Sequence, residues 1–354
     1  MKKTLKIVAL FAAATLAVGV APAATAANAT KACLALDTGG VDDKSFNASA
    51  WAGAQAANKA NSSITVKYLA ATSDADYAPN IKKLVDEKCD IIVGVGFLIN
   101  GAIVAAAKAN PTVHFAIVDQ DGQDHGADGS VYPGKSFSNL KPLQFSTNES
   151  AFQAGYVAAG VSKTGKVATY GGLNIPPVTI FMDGFAKGVA YYNKVKGKSV
   201  TVLGWDTKKA DGTFVGGFSD SAKALQISKN FEQQGADVIF PVAGGLGGAT
   251  AGNSIASKKS YVIWVDTDGS KAAPQYKKVI LTSVVKGVDV SVKTVISDQA
   301  AGKFSSTGYV GNLKNAGTYL ASLNRPDLTV ASAALRQEVL KLGVLIRTGK
   351  VSVK

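Results

Sequence analysis

The sequence predicts an α/β protein with two lobes. Short apolar runs of four to seven residues alternate with longer segments of helical periodicity, which is the pattern of βα units on a parallel sheet. Two similar sets of about four runs lie before and after the stretch 120–147, which is rich in Gly, Asp and Ser. That stretch is longer than most loops in compact domains, so we interpret it as a surface excursion or the approach to a hinge.

The predicted elements alternate along the chain, with β-branched and aromatic residues in the short runs and Ala-rich amphipathic patterns between them. The predicted strands are residues 32–36, 64–69, 91–95, 113–118, 167–170, 200–203, 238–242, 261–265 and 279–284. The predicted helices are residues 49–60, 78–87, 102–109, 149–161, 178–195, 221–234 and 288–299.

Residues 1–26 have the features of an export signal. Lys2, Lys3 and Lys6 precede an apolar stretch over residues 7–20, and Ala24-Thr25-Ala26 has the small-residue form of a signal-peptidase site. The apolar stretch of about 14 residues is shorter than the roughly 20 that a membrane-spanning helix needs. We therefore expect an exported, soluble mature protein that begins at residue 27.

Composition excludes several classes of function. The formal net charge of +13 is spread through the chain as single lysines and pairs, without the basic helix or aromatic stripe typical of nucleic-acid binding. The two histidines lie near no serine or cysteine in a triad arrangement, and no Cys/His cluster has zinc-type spacing. We therefore expect no catalytic residue, no metal site and no cofactor.

The two cysteines, Cys33 and Cys89, each stand at the start of an apolar run. If these runs are neighbouring parallel strands, both sulfurs lie at the same sheet edge, and a disulfide can form in an oxidising compartment. Two buried thiols are the alternative. Lipidation of Cys33 is disfavoured, because Lys31 places a charge where a lipoprotein signal needs apolar and small residues.

Three aspartates directly follow strand-like runs, namely Asp37, Asp119 and Asp266. The carboxyl ends of parallel strands meet at one sheet edge, where small molecules bind in open α/β sheets. A carboxylate at a strand end can instead be a simple helix cap or turn former. Together with Asn47 and Lys286, the three suit a neutral ligand that carries many hydroxyl or amino donors.

Two phenylalanines, one from each half, have polar or glycine neighbours and precede helical segments. Phe46 lies in Ser-Phe-Asn and Phe218 in Gly-Gly-Phe-Ser-Asp. Isolated phenylalanines are usually core residues, but these neighbours favour partly exposed rings. Rings supplied by two lobes could enclose a flat heterocycle, with stacking of about 1 to 3 kcal/mol for each ring.

At this point the chain resembles the basic membrane protein family of nucleoside-binding lipoproteins (PnrA-like), the substrate receptors of nucleoside ABC importers. The matching segments span nearly the whole mature chain in the family's order. They are residues 39–47 (GGVDDKSFN), 171–178 (GGLNIPPV) with Phe181, Gly184 and Phe185, 235–245 (GADVIFPVAGG), 264–268 (WVDTD) and 282–289 (TSVVKGVD).

The resemblance implies a type I periplasmic-binding-protein fold, in which two Rossmann-like lobes are crossed by about three hinge strands and close on the ligand. Its implied domains are an N-terminal lobe of residues 27–146 plus about 269–305, and a C-terminal lobe of residues 147–268 plus about 306–354. The family stacks the base between aromatic rings and holds the ribose with acidic residues and a lysine.

The motifs also imply which side chains bind the ligand. The implied ligand-binding residues are Asp37, Phe46, Asn47, Asp119, Phe218, Asp266 and Lys286. Phe46, Asn47 and Asp119 would lie near the base, and the other two aspartates and the lysine would hold polar groups of base or sugar. Phe218 would supply the second ring, with Phe181 and Phe214 as alternatives.

The chain departs from the family pattern in two ways, because it lacks a lipobox and its loop 120–147 is unusually long. The resulting hypothesis is an exported, monomeric receptor that binds nucleosides, favours purine nucleosides, and serves an ABC permease and ATPase. The alternatives are a sugar or small-polyol receptor on the same fold, a nucleoside-cleaving enzyme, and a cell-surface sensor or adhesin.

Overall fold

The chain forms two six-stranded sheets with helices on both faces of each, in a computed structural model that describes residues 29–123 and 137–353. This architecture confirms the predicted α/β class. The export signal predicted for residues 1–26 and the middle of the stretch 120–147 lie outside the described residues. None of the helices within the described ranges is long and apolar enough to cross a bilayer.

All nine predicted strands and all seven predicted helices are present, and further elements join them. The strands are β1 (Thr30–Leu36), β2 (Ile64–Ala70), β3 (Ile91–Val95), β4 (His114–Val118), β5 (Leu140–Phe145), β6 (Lys166–Gly171), β7 (Thr201–Leu203), β8 (Trp205–Asp206), β9 (Asp211–Gly212), β10 (Val238–Val242), β11 (Tyr261–Asp266), β12 (Ile280–Lys286), β13 (Tyr309–Gly311) and β14 (Thr318–Leu320). The helices are α1 (Phe46–Ala60), α2 (Tyr77–Asp86), α3 (Asn100–Ala109), α4 (Asn148–Val161), α5 (Pro176–Lys196), α6 (Ser221–Gln233), α7 (Gly247–Ser257), α8 (Gly269–Ala272), α9 (Val288–Ala300) and α10 (Ala333–Arg347).

The first sheet is parallel throughout and has the order β13-β5-β4-β3-β1-β2. Successive residues of β1 pack on opposite faces: Leu34 joins the core under α1 and α9, whereas Ala35 joins the core under α2 and α3. Both faces are therefore buried, which explains why the strands read as continuous apolar runs rather than as alternating ones.

The second sheet repeats this plan with the order β14-β12-β11-β10-β6-β7, in which only β14 is antiparallel. In both sheets the strand order reverses beside the first strand of the lobe, which is β1 in one sheet and β6 in the other. Such reversal points leave a crevice at the carboxyl ends of the strands. The fold thus creates two crevices, one in each lobe.

Helices α4 and α5 pack with almost no space between their backbones. A Cβ atom at Gly155 would collide with the Phe185 carbonyl oxygen, and one at Gly188 would collide with the Phe152 carbonyl oxygen. Glycine is required at both positions because any side chain would separate the two helices. The glycines that interrupt these helical segments are therefore packing residues.

Within the described ranges the chain passes between the lobes three times, from β5 to α4, from β12 to α9 and from β13 to β14. These exchange points differ from the predicted boundaries at about residues 269 and 306. The difference arises because β12 pairs with β11 in the second sheet and β13 pairs with β5 in the first sheet.

Part of the predicted loop 120–147 is a strand, because β5 lies within it. Pro142 obscured this strand, since proline is unusual inside a sheet. The N–H groups of Phe115 and Asp119 in the β4 segment bond the carbonyl oxygens of Asn139 and Leu143. Backbone groups of alternate residues point to opposite neighbours, so residues 139, 141 and 143 face β4 and Pro142 faces the side of β13. The N–H that Pro142 lacks therefore removes no bond to β4.

Cys33 and Cys89 form a disulfide, with 6.0 Å between their Cα atoms. Cys33 lies in β1, and Cys89 lies two residues before β3, which is the neighbour of β1 in the sheet. Of the two alternatives that the sequence left open, the structure therefore has the bonded one. The bond closes a loop with a sequence separation of 56 residues.

Loss of this disulfide is expected to lower the free energy of unfolding by about 4 kcal/mol, because the unfolded chain then recovers the entropy of the closed loop. Urea unfolding of the oxidised protein, the reduced protein and the variant Cys33→Ala/Cys89→Ala measures this loss. The reduced protein should match the variant. Equal stability of the oxidised and reduced proteins would contradict the expectation.

Candidate ligand-binding site

A cavity lies between the two lobes, at the carboxyl ends of the strands of both sheets. Its walls include the turns after β1 and β3 from the first lobe and the segments after β6 and β10 from the second, which flank the two reversal points of strand order. The lining residues are Asp37, Thr38, Gly39, Asp43, Phe46, Asn47, Gly96, Phe97, Asp119, Ile175, Pro177, Val178, Phe181, Phe218, Val242, Gly244, Gly245, Val265, Asp266 and Lys286.

All seven ligand-binding residues predicted from the sequence line this one cavity. They come from six separate segments of the chain, since only Phe46 and Asn47 are adjacent in sequence. The parallel sheets bring them together because each segment lies at or just after the carboxyl end of a strand, or close to the start of a helix. One space thus contains carboxylate, amide, ammonium and aromatic groups.

Lys286, the last residue of β12, places a buried ammonium group at the centre of the site. Its side chain is 3 % exposed, and its Nζ lies 2.6 Å from Asp119 Oδ2. The same nitrogen lies 5.0, 5.7 and 5.2 Å from the ring centroids of Phe46, Phe145 and Phe181. The charge is therefore compensated by a carboxylate and by three aromatic faces, as a desolvated cation requires.

The carboxyl of Asp119 belongs to the first lobe, so its ion pair with Lys286 connects the two sheets. Burial raises the pKa of Asp119, and the attraction and hydrogen bond of Lys286 oppose that rise. The backbone of Asp119 is left-handed, with φ of 68°. Asp266 has the equivalent position in the second lobe and the same unusual backbone, with φ of 64°. Both strand ends thus turn sharply into the cavity.

Burial strongly perturbs the carboxyl of Asp266. Burial raises its pKa from 3.8 to about 6, although Lys286 and a hydrogen bond from Ser45 favour the ionised form. Ser45 Oγ donates to Asp266 Oδ2 at 2.7 Å. The carboxyls of Asp119 and Asp43 lie near enough to raise the pKa further.

The three strand-end aspartates share one arrangement: a protein donor occupies one carboxylate oxygen. The Tyr77 hydroxyl and the Thr38 N–H both donate to Asp37 Oδ1, Lys286 donates to Asp119 Oδ2, and Ser45 donates to Asp266 Oδ2. Among the described residues, no group donates a hydrogen bond to the second oxygen of any of these three carboxylates. Each aspartate therefore has an oxygen available to accept a ligand donor.

Asn47 is 2 % exposed, yet its Oδ1 has no hydrogen-bond partner in the described part of the chain. Its Nδ2 makes long bonds of 3.4 Å to the carbonyl oxygens of Asp37 and Thr38. A buried acceptor without a donor costs free energy, so an unpartnered oxygen on the cavity wall suits a ligand N–H or O–H.

Asp43 fixes the start of α1, which carries Phe46 and Asn47. Its carboxylate accepts from the backbone N–H groups of Ser45, Asn47 and Ala48 at 2.9, 3.0 and 3.0 Å. Asn47 and Ala48 lie in the first turn of α1, whose amides have no intrahelical partner, and Ser45 directly precedes the helix, so Asp43 acts as the cap. Burial raises its pKa, and these three hydrogen bonds oppose the rise.

Phe218 lies against the backbone of Gly172, where a Cβ atom would collide with the ring. The two alternative rings proposed from the sequence have different surroundings. Phe181 also lines the cavity but is fully buried and packs against Phe240, and Phe214 packs edge-on against Trp205 and is not a lining residue. Of the three rings, Phe218 is therefore the partly exposed ring of the second lobe that lines the cavity.

Sequence reasoning missed several lining residues, among them Phe97 and Asp43. Phe97 follows the Gly96 turn at the end of β3, a position equivalent to that of the selected aspartates, so the same strand-end argument could have identified it. Gly96 itself has φ of 123°, and a Cβ atom there would collide with the Asp37 carboxylate. No local pattern marks that close approach.

The raised pKa of Asp266 predicts a pH-dependent stability. Between about pH 4 and 6 the folded protein binds more protons at this group than the unfolded chain does, so the free energy of unfolding falls as pH rises through that window. The fall should total roughly 3 kcal/mol. The Asp266→Asn variant lacks the ionisation and should not show this part of the slope.

Denaturant unfolding without ligand at several pH values from 4 to 7 tests this expectation. Asp42→Asn is the matched control, because Asp42 has a highly exposed side chain. Its curve should run parallel to the wild-type curve. A parallel curve for Asp266→Asn would show that burial does not perturb the carboxyl.

Comparison with known proteins agrees with this architecture. A family model described as ABC transporter substrate-binding protein, PnrA-like, matches residues 30–311. The chain is 32 % identical over 340 residues to the ABC transporter nucleoside-binding protein BmpA of Lactococcus lactis, covering 91 % of this chain and 88 % of that protein. It is 33 % identical over 284 residues to the CD4+ T-cell-stimulating antigen of Listeria monocytogenes, covering 76 % and 73 %.

Among solved structures, an ABC transporter solute-binding protein from Aeropyrum pernix K1 superposes with a TM-score of 0.77 at 24 % identity, covering 91 % of this chain and 92 % of that one. At this identity the likeness concerns the fold, and it confirms the predicted type I periplasmic-binding-protein class. The resemblance inferred from the motifs is also confirmed: the chain belongs to the PnrA-like family of ABC transporter substrate-binding proteins.

Proposed function

We propose that this protein is an extracytoplasmic receptor that binds nucleosides, with a preference for purine nucleosides, and presents them to an ABC permease and ATPase. The observation that carries the proposal is the composition of the interlobe cavity. Two rings from opposite lobes, Phe46 and Phe218, line the same space as three carboxylates that each have an available oxygen. The nucleoside-binding name of the Lactococcus relative supports the same ligand class.

The base would lie between Phe46 and Phe218, since aromatic faces accept any planar heterocycle. Its edge would face Asn47 and Asp37, whose available oxygens need hydrogen-bond donors. Purine bases present ring N–H and amino groups that meet this need. The acceptor-rich wall therefore supports a base with several donors on one edge.

The ribose hydroxyls would bond Asp266 and Lys286. A hydroxyl donates to a carboxylate and accepts from an ammonium, so this pair matches a diol better than it matches an apolar group. Asp119, which already pairs with Lys286, would lie between base and sugar. In this arrangement each buried charge keeps a polar partner when ligand displaces water.

The charge of the cavity favours nucleosides over nucleotides. Asp37, Asp43, Asp119 and Asp266 face a single ammonium, that of Lys286, among the charged lining residues. Even with Asp266 protonated, the carboxylates outnumber the lysine. A phosphate would bring two negative charges into this low-dielectric space and would be repelled.

The protein would perform no chemistry on its ligand. A ligand that contacts both lobes binds the closed form more tightly than the open form, and so shifts the equilibrium toward closure. The permease would then recognise the closed receptor. The three crossings between the lobes provide the connection about which such closure occurs.

Phe46→Ala and Phe218→Ala are each expected to weaken adenosine or inosine binding roughly five- to 150-fold, because each removes one stacking face. Isothermal titration calorimetry measures the effect. Phe304→Ala is the matched control, since Phe304 stacks on His114 outside the cavity and its loss should leave the affinity unchanged.

Titration of the wild-type protein with adenosine, guanosine, inosine, cytidine, ribose and inosine 5′-monophosphate defines the ligand class. Nucleosides should bind, and ribose and the monophosphate should bind far more weakly. Binding of ribose alone would overturn the stacking arrangement and favour a sugar receptor. Incubation with inosine should release no hypoxanthine, whereas its release would indicate a nucleoside-cleaving enzyme.

A further inference from the structure

A second set of contacts joins the lobes beside the cavity without requiring any ligand. The Lys44 carbonyl oxygen accepts from Thr267 Oγ1 at 2.7 Å and from Trp264 Nε1 at 3.3 Å. The Ser45 hydroxyl donates to Asp266 Oδ2 at 2.7 Å and lies 3.3 Å from the Val265 carbonyl oxygen. Lys44 and Ser45 precede α1 in the first lobe, whereas all their partners lie at the end of β11 in the second.

The backbone of the first-lobe segment is shaped for these contacts. Lys44 has φ of 57°, a left-handed conformation that L-residues seldom adopt and that costs free energy. The Asp43 cap holds the following residue in place through the Ser45 N–H. The Lys44 carbonyl oxygen is thus held facing the other lobe, where Thr267 Oγ1 and Trp264 Nε1 donate to it.

The second lobe also has a glycine where its backbone comes close to that of the first lobe. A Cβ atom at Gly245 would lie 3.0 Å from the Asp43 carbonyl oxygen and 3.2 Å from its Cα, which is tighter than ordinary packing. The Ser45 side chain is completely buried at this junction. The two surfaces therefore fit one another through backbone and side chain, independently of what occupies the cavity.

We propose that Lys44 and Ser45, with Trp264, Asp266 and Thr267, form an interlobe latch that stabilises the closed receptor even without ligand. Within this latch Ser45 is a positioning residue. Its hydroxyl bonds one carboxylate oxygen of Asp266 and directs the other oxygen toward the cavity. The effect of the latch on ligand affinity rests on the proposed function, whereas its effect on closure is independent of that function.

The latch has a definite consequence for the ligand. Ser45 reaches Asp266 across the junction between the lobes, so opening of the cleft breaks their bond and leaves Asp266 without this donor. The carboxylate therefore has its oriented, ligand-ready form only in the closed receptor. A receptor that is partly closed beforehand needs less binding free energy for closure, which raises the apparent affinity.

Thr267→Val is the decisive variant, because it removes one latch hydrogen bond and Thr267 is not a lining residue of the cavity. Ser45→Ala removes a second latch hydrogen bond, the one to Asp266 Oδ2. Spin labels on cysteines placed at Lys59 and Lys229, exposed residues on α1 and α6 in opposite lobes, report the interlobe distance by double electron–electron resonance. The measurement uses ligand-free protein.

The ligand-free wild-type receptor should show a populated short-distance form. Each variant should lower the ratio of closed to open receptor about two- to twelvefold, the effect of one net hydrogen bond. Thr294→Val is the matched control, since its hydroxyl bonds only within α9 among the contacts described. Its distance distribution should equal that of the wild type.

Unchanged distributions in both Thr267→Val and Ser45→Ala, or a wild-type protein that is entirely open, would overturn the latch. Either result is separate from failure of the nucleoside proposal, which would appear as a wild-type receptor that binds no nucleoside. If nucleosides bind, Thr267→Val should also weaken their affinity about two- to twelvefold, mainly through faster dissociation.

Discussion

The ion pair between Lys286 and Asp119 is the interaction on which the rest of the site depends. It joins the last residue of a second-lobe strand to the residue that comes directly after a first-lobe strand, and both groups are almost completely buried. A buried charge that loses its partner is strongly destabilising. The pair therefore joins the two lobes next to the crossing from β12 to α9, and separating the lobes there would expose or unpair both charges.

The aspartates extend this constraint into a binding surface. Burial raises the pKa of Asp37, Asp119 and Asp266, so each ionised carboxylate lies in an environment that provides too few donors for its charge. Protein donors satisfy one oxygen of each. This arrangement costs stability, but in the closed form it orients the acceptors, which in the proposed function would reduce the ordering that binding requires.

In the proposed function, closure and recognition would be linked because the same side chains serve both. Asp119 and Asp266 contact partners from the opposite lobe, and both also line the cavity. A change in the angle between the lobes must alter the hydrogen bonding of these carboxylates. A ligand held by these carboxylates, as proposed, would therefore favour the closed form directly, without a separate allosteric element.

The sequence by itself determined the α/β class, the nine strands and seven helices first predicted, and the seven polar and aromatic residues that line the cavity. These features are encoded locally, in apolar periodicity and in the residue types that end each strand, and parallel strands place their ends together. Only the tertiary structure decided that β5 runs through Pro142, that β12 and β13 belong to opposite sheets, that Cys33 and Cys89 are bonded, and that Ser45 reaches Asp266. Those outcomes depend on partners that are distant in sequence. A local sequence pattern does not specify which distant group will pair with a given hydrogen-bond donor, acceptor or strand edge.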